Sequence, residues 1–433
     1  MHHFYPYAVD DIDAFKSKVL LLSNLFEHFC YLDSNNYPNY PHSTFGSFFA
    51  IDALETFYVE EHEKDALIKL QAFLDKNRAW VFGFLNYDLK NIIEPELESK
   101  NDDSMHHSLI HFFIPKYIIK IEHEKIEIGV TQKADLHIIE KILQEDITTK
   151  EIREKTSDFS IRHKIDKKKY LEISDQIKHH IQIGDIYELN FCQEFKIENI
   201  SIDTLNVFQK LNSISKAPFS CYLKNKHNYL MCASPERFLK KQQNTLISQP
   251  IKGTRKRELD KKIDAQIKQE LFFNEKERSE NVMIVDLVRN DMSKIAKKNS
   301  VDVEELFGLY TFEQVHQLIS TISCTLENNI KFIDIIQAMF PMGSMTGAPK
   351  IAAMQLIEKY EMTRRGLFSG CVGYITPKGN FDFNVVIRSI FYNEKNKNIS
   401  IQTGSAITID ADAEKEYDEC LLKAEAMFNA LKV

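Results

Sequence analysis

Two periods of hydrophobic and polar residues run along this chain, and the places where one gives way to the other mark its elements. STFGSFFAID (43–52), RAWVFGFLNYDL (78–89) and SLIHFFIPKYIIKIEHEKIEIGV (108–130) are aromatic-rich and read as strands, the last as a hairpin turning near Glu122–Lys125. Tyr170, Ile173, Ile177 and Ile181 recur at helical spacing, and Gly184 follows as a stop. In YELNFCQEF (187–195), Tyr187, Leu189, Phe191 and Gln193 share one face of a strand. FSCYL, NYLMCA and TLISQ continue as short strands, and residues 259–294 predict two helical segments. Asp334–Phe340 and Pro349–Tyr360 predict helices, Pro349 suiting a first turn, and AEKEYDECLLKAEAMFNAL (413–431) predicts a closing helix. FDFNVVIRSIFY (381–392) and ISIQTGSAITI (399–409) are strand candidates. Strands in runs with irregularly placed helices predict an α+β fold. Residues 145–168 are polar and charged, so we place a boundary there, with regions 1–155 and 156–433 forming one intertwined unit.

Composition narrows the class. The 433 residues are 43% hydrophobic with 30 Phe and 17 Tyr, enough for a large core. A net charge of −8 gives no basic footprint for nucleic acid, and any anionic substrate then needs a locally positive pocket. The seven cysteines (30, 192, 221, 232, 324, 371, 420) are scattered without a CxxC pair, which predicts reduced core thiols and neither disulfides nor a zinc site. No basic-then-apolar leader and no apolar run approaching 18 residues is present, so we expect a soluble cytoplasmic protein without membrane contact.

Several stretches carry candidate chemistry. In SQPIKGTRKR (248–257), Lys252 lies between a proline and a Gly-Thr pair, an ordinary turn cation or a held amine. Glu416, Glu419 and Lys423 project from one face of the closing helix, either as a solvated stripe or as an acidic site. Glu280 in RSENVMIVDLVRND opens an apolar helical run, as a dipole partner or a third carboxylate. If the helices meet, three carboxylates supply the hard oxygen ligands that Mg²⁺ takes. FPMGSMTGAPK (340–350) offers backbone N–H groups and hydroxyls at a helix entry, without the spacing of a P-loop. Gly404 allows close backbone approach within a strand, and Arg388, among apolar neighbours, needs a carboxylate from the protein or from a ligand. Glu236 in CASPERFL is a general acid or the partner of Arg237.

Taken in order, GDIYELNFCQEF, ASPERFL, PIKGTR, SENVMIVDLVRND, FPMGSMTGAPK, GYI, VVIRS, TGSAI and EKEYDE resemble the chorismate-utilising enzymes, strongly over 165–433 and loosely, through WVFGFLNYDLKN, before that. That family includes component I of anthranilate and aminodeoxychorismate synthases and the isochorismate and salicylate synthases. The resemblance implies large antiparallel sheets packed as a sandwich with helices outside. It implies chorismate as substrate and Mg²⁺ held by Glu280, Glu416 and Glu419. Arg388 and Tyr374 match positions that hold the enolpyruvyl carboxylate, and Lys423 a basic partner of the ring carboxylate. Gly404 and the Thr346-Gly347 turn match close contacts, His316 a histidine near the ring, and Glu236 the general acid for the 4-hydroxyl.

Lys252 bears most on the subgroup. Anthranilate synthases usually read PIAGT here, whereas aminodeoxychorismate synthases read PIKGT, with the lysine attacking C2 before ammonia enters at C4. Lys252, Gly253 and Thr254 are therefore expected at the reacting ring, with the lysine pKa lowered by burial or by Arg255 and Lys256. Glu188 stands where isochorismate and salicylate synthases place a water-activating lysine, which disfavours that route. Ser405 and Ala406 replace commoner glycines and are expected to add side chains to the substrate wall. The chain shows no glutaminase or lyase module, so ammonia is expected from a separate glutamine amidotransferase subunit and the lyase from another protein. The alternatives are anthranilate synthase component I, an enzyme serving both pathways, and a non-catalytic subunit that binds chorismate or tryptophan.

Overall fold

In strand Ser47–Val59, Phe48 and Ala50 turn to one core while Phe49 and Ile51 turn to another. Successive Cβ atoms point to opposite faces, so a strand apolar on both faces must be covered on both. The computed structural model describes residues 1–37, 40–43, 45–60, 63–122, 124–145 and 159–432. Among them, twenty strands join in one hydrogen-bonded network whose named pairings are antiparallel. The boundary expected at 155/156 lies outside the described residues.

Strand Ile110–Glu122 is the seam of two sheets. One runs from it through Ser47–Val59, His28–Asp33, Phe219–Asn225, Asn228–Ser234, Ser389–Asn393 and Asn398–Ile407 to Glu188–Ile197. The other runs through Val81–Leu85, Cys371–Ile375, Phe381–Asn384, Arg237–Gln242 and Thr245–Gln249 to Val315–Thr325, which also pairs with Ile251–Lys256 and Asp302–Thr311. Leu32, Phe48, Leu223 and Phe391 from the first sheet share one buried cluster with Phe112, Val372, Phe383 and Leu246 from the second. That is the interior of a sandwich. Helices Ile12–Leu21, Lys133–Gln144, Thr204–Ser215 and Ala413–Leu431 cover the outer face of the first sheet. In both sheets a strand from before residue 155 pairs directly with one from after it, His28–Asp33 with Phe219–Asn225 and Val81–Leu85 with Cys371–Ile375. Among the described residues no helix is long and apolar enough to cross a membrane.

The predicted hairpin is present, with Glu122 opposite Lys125, and so are the helices Lys167–Gln182, Lys261–Phe273, Glu275–Ser293 and Ala413–Leu431. Three readings need correction. Pro349 is the residue before the helix Lys350–Tyr360, not part of its first turn. FDFNVVIRSIFY is not one strand. Phe381–Asn384 lies in the second sheet and Ser389–Asn393 in the first, so residues 385–388 carry the chain across. There the backbone amides of Val385 and Val386 bond the carbonyls of Glu236 and Gly370 instead of a strand partner. Arg388 ends the crossing at φ 53, a left-handed conformation costing on the order of 1 kcal/mol for a residue with a side chain. Finally, Lys252 sits in a strand, Ile251–Lys256, and not in a turn. The register slips between Ile251 and Thr254, and Gly253 at φ 94 lets the bulge form.

Arg237 does not pair with Glu236. Its guanidinium donates to Asp382 through Nε (2.9 Å) and Nη2 (3.0 Å), and both side chains are buried. Asp382→Ala would strand a buried cation and is expected to cost ~3 kcal/mol or more, read as a lower urea midpoint at unchanged slope. With Arg237 committed elsewhere, the Glu236 carboxyl is left for other work.

Candidate active site

A cleft of about 150 Å³, open to solvent, lies where the bulge of Ile251–Lys256, the strand Asn398–Ile407 and the first turns of helices Glu275–Ser293 and Ala413–Leu431 meet. Both helices are capped by a side chain. Asn274 accepts from the Glu277 amide, and Asp412 from those of Glu414 and Lys415. These caps fix the turns from which the acidic residues project. Glu280, Glu416 and Glu419 all line the cleft, with Lys252, Lys276 and Lys423 interleaved among them.

Each carboxylate is met by a lysine. Lys276 Nζ lies 2.9 Å from Glu416 Oε1 and 3.7 Å from Glu280 Oε1. Lys423 Nζ lies 2.7 Å from Glu419 Oε1, at the i,i+4 spacing the sequence predicts. Lys252 Nζ donates to Glu188 Oε1 at 2.6 Å and stands 3.9 Å from Glu280 Oε2. Burial raises the Glu280 pKa to about 7, helped by Glu188 and opposed by Lys252. Burial also works to lower the Lys252 pKa, but Glu188 and Glu280 together outweigh it and hold the pKa above the ordinary lysine value. The expected cationic neighbours do not offset this, because Arg255, on the cleft wall, is paired with Glu277 (2.9 Å) and Lys256 is exposed. Lys252 thus rests as an ammonium, not as a free amine.

Glu236 faces the same cleft and is buried. Burial pushes its carboxyl up to about 7, against a hydrogen bond from Ser344 Oγ at 2.6 Å and the charge of Lys252. A carboxyl that keeps its proton near neutrality can donate it. At the basic end, Arg388 lines the cleft and Nη1 donates to the Lys423 carbonyl (3.2 Å). Among the described residues no carboxylate pairs with Arg388, so its charge is available to an anion. Lys423 Nζ also donates to the Gly404 carbonyl at 2.8 Å. A Cβ at residue 404 would collide with Cys192 Sγ and come within 2.9 Å of Asn190 Oδ1, so the wall there is bare backbone. Gly253 and Thr254 line the cleft as well.

Three of the residues matched to substrate contacts do not line it. Tyr374 packs in the interior against Phe48 (5.0 Å between ring centres) and Trp80 (5.7 Å), on a strand none of whose residues line the cleft. His316 is buried between Asp264 (Nε2 to Oδ1, 2.9 Å) and Thr311 (3.0 Å), tying helix Lys261–Phe273 to its sheet. Its neighbour Gln317 reaches the cleft instead. Thr346 is buried with its hydroxyl on the carbonyls of Met342 and Gly343, and the same turn presents Ser344 and Met345. Ser405 also faces away, bonded to Tyr170 Oη at 2.8 Å, while Ala406 lines the wall.

The residues missed by spacing are Lys276, Asn190 and Ser344, all on the cleft, and Glu188 as partner of Lys252. Lys276 lies four residues before Glu280, a signal that could have been followed. Asn190 and Glu188 share the face of YELNFCQEF opposite the one read as apolar. Behind them Arg365 holds the floor, donating to the carbonyls of Asn190 and Met345 and to Glu361.

The donor set suits Mg²⁺, with three carboxylates and one buried oxygen, Glu280 Oε1, that lacks a hydrogen-bond partner. Among the described residues, however, no three acidic, His or Cys side chains stand close enough to hold an ion as placed, for Lys276 stands between Glu280 and Glu416.

The chorismate binding enzyme family model matches residues 28–429. Aminodeoxychorismate synthase component 1 of Escherichia coli (strain K12) is 31% identical over 429 residues, 92% of each chain. Anthranilate synthase component 1 of Bacillus subtilis (strain 168) is 31% identical over 377 residues, 81% of this chain and 72% of that one. The crystal structure of anthranilate synthase component I from Streptococcus pneumoniae superposes with a TM-score of 0.78 at 23% identity, covering 90% of this chain and 95% of that one. A family match across nearly the whole chain, joined to this cleft, makes the protein a member of the chorismate-binding enzyme family.

Proposed function

We propose that this enzyme aminates chorismate to 4-amino-4-deoxychorismate, as the large component of an aminodeoxychorismate synthase that takes ammonia from a separate glutamine amidotransferase subunit. The observation that carries the reading is Lys252, a nearly buried amine lining the cleft between Glu188 and Glu280 and within the field of Glu236. In the proposed reaction Arg388 and Lys423 receive the substrate's carboxylates. Mg²⁺, when bound, would neutralise the ring carboxylate against Glu280, Glu416 and Glu419.

Glu188 is the nearest acceptor for the proton that Lys252 must lose. The free amine then bonds to C2, the two conjugated ring double bonds both shift, and the 4-hydroxyl leaves as water with the proton of Glu236. Ammonia bonds to C4, both double bonds shift back, and the C2–N bond breaks to return the lysine. The surplus proton of the new C4 ammonium group goes to the Glu236 carboxylate. Chorismate and ammonia thus give aminodeoxychorismate and water. A separate lyase would convert the product to 4-aminobenzoate for folate.

A second reading, anthranilate formation, is favoured by the equal identity to the Bacillus subtilis anthranilate synthase component. Incubation with chorismate, Mg²⁺ and ammonium, followed by mass spectrometry and fluorescence, separates the two. Aminodeoxychorismate is the expected product. Anthranilate as main product would support the second reading, and isochorismate would sink both. No turnover even with an amidotransferase subunit would favour a binding role.

A further inference from the structure

We infer that Lys276 is a built-in counter-ion that closes the acidic end of the cleft and must swing out before a divalent cation can enter. This rests on the metal reading above and concerns what opposes it. Lys276 projects from the first turn of helix Glu275–Ser293 and bridges to the helix Ala413–Leu431 through Glu416, at 2.9 Å. Its ammonium also stands 3.7 Å from Glu280, so one cation serves both carboxylates.

Mobility distinguishes it from its neighbours. Glu280 and Glu416 are only 7% and 4% exposed, whereas the Lys276 side chain is 44% exposed. The carboxylates cannot move to solvent, but the lysine can. The other two lysines of the cleft are engaged, Lys252 on Glu188 and Lys423 on Glu419 and the Gly404 carbonyl. Glu280 Oε1 is buried without a hydrogen-bond partner, and an entering cation would satisfy it. Lys276 and the cation therefore compete for the same oxygens, and the competition weakens apparent metal affinity by the fraction of molecules with the lysine in place.

Calorimetric titration of the whole protein with MgCl₂ alone, without chorismate, tests this. Lys276→Met keeps the length of the side chain and removes the charge, and is expected to tighten Mg²⁺ about fivefold, the scale of one partly exposed ion pair. Lys276→Arg, which keeps the charge, should bind no tighter than the parent. Lys415→Met, beside Glu416 on helix Ala413–Leu431 but 84% exposed, removes an equal charge outside the cleft and should leave affinity within about twofold, as a screened surface charge. Equal or weaker binding by Lys276→Met overturns the inference while leaving the metal site intact, and so does equal tightening by Lys415→Met. Absence of binding in every protein overturns the metal reading along with it. Because substrate is absent, none of these results depends on which product the enzyme makes.

Discussion

Replacing Lys252 by alanine is expected to lower aminodeoxychorismate formation by ~10³-fold or more, the scale of removing a covalent nucleophile. The structure adds a complication that the experiment must meet. Glu188, only 1% exposed, has Lys252 as its partner at Oε1 and no hydrogen bond at Oε2. Removing the lysine leaves a buried carboxylate uncompensated, which destabilises by ~3 kcal/mol unless it takes up a proton. A drop in activity alone could then reflect a loosened cleft. The double variant Lys252→Ala/Glu188→Gln removes both charges, and should recover much of the stability in urea unfolding without recovering turnover. Unchanged turnover in either variant would refute the covalent role, and full rescue by the second substitution would assign Lys252 to structure.

These outcomes depend on a pairing the sequence did not disclose. Local spacing identified what lies within one helix, and Glu419 and Lys423 meet as their i,i+4 positions require. It also identified strands, because alternation over YELNFCQEF reports burial directly. It did not report that Glu188 and Lys252, 64 residues apart, would meet across two sheets and reverse the expected direction of the lysine pKa. Aromatic positions misled for a similar reason. Tyr374 sits in a motif that matches the family, but a strand buried on both faces does not say whether it reaches the cleft, and no residue of Cys371–Ile375 lines it. FDFNVVIRSIFY looks continuous because apolar residues continue through the crossover, and only the backbone partners of Val385 and Val386 reveal the change of sheet. Charge distribution was the firmer guide. Glu236 after a Ser-Pro turn, Glu280 at a helix start, Arg388 among apolar neighbours, and Glu416 and Glu419 on one helix face all line one cleft.

Glu236→Gln is expected to lose ~10²–10⁴-fold in turnover and yet to gain stability above neutral pH. The parent carboxyl is pushed up to about 7 by burial, against 4.5 for an ordinary glutamate. Between those values the folded protein holds a proton that the unfolded chain releases, so stability falls as pH rises from 4.5 to 7. Above 7 the loss is complete, at about 3 kcal/mol for a shift of this size. Glutamine cannot ionise, and its carbonyl oxygen can still accept the Ser344 hydroxyl, so this loss should be absent in the variant. Urea unfolding at pH 5 and pH 8 would therefore show the parent weakening by ~2.5 kcal/mol more than the variant, because any cost of an unpaired amide N–H in the variant is the same at both pH values and cancels. The same proton governs catalysis in the opposite sense. Only the protonated acid can release the 4-hydroxyl, so kcat/KM of the parent should fall as pH rises through 7, while the residual activity of the variant lacks that limb. If the parent shows no such limb, Glu236 is not the acid. If the limb is present but the stability difference does not grow with pH, some other group carries the proton. The enzyme would keep an ionisable group that weakens its fold at neutral pH because the same buried carboxyl, still protonated there, does the chemistry.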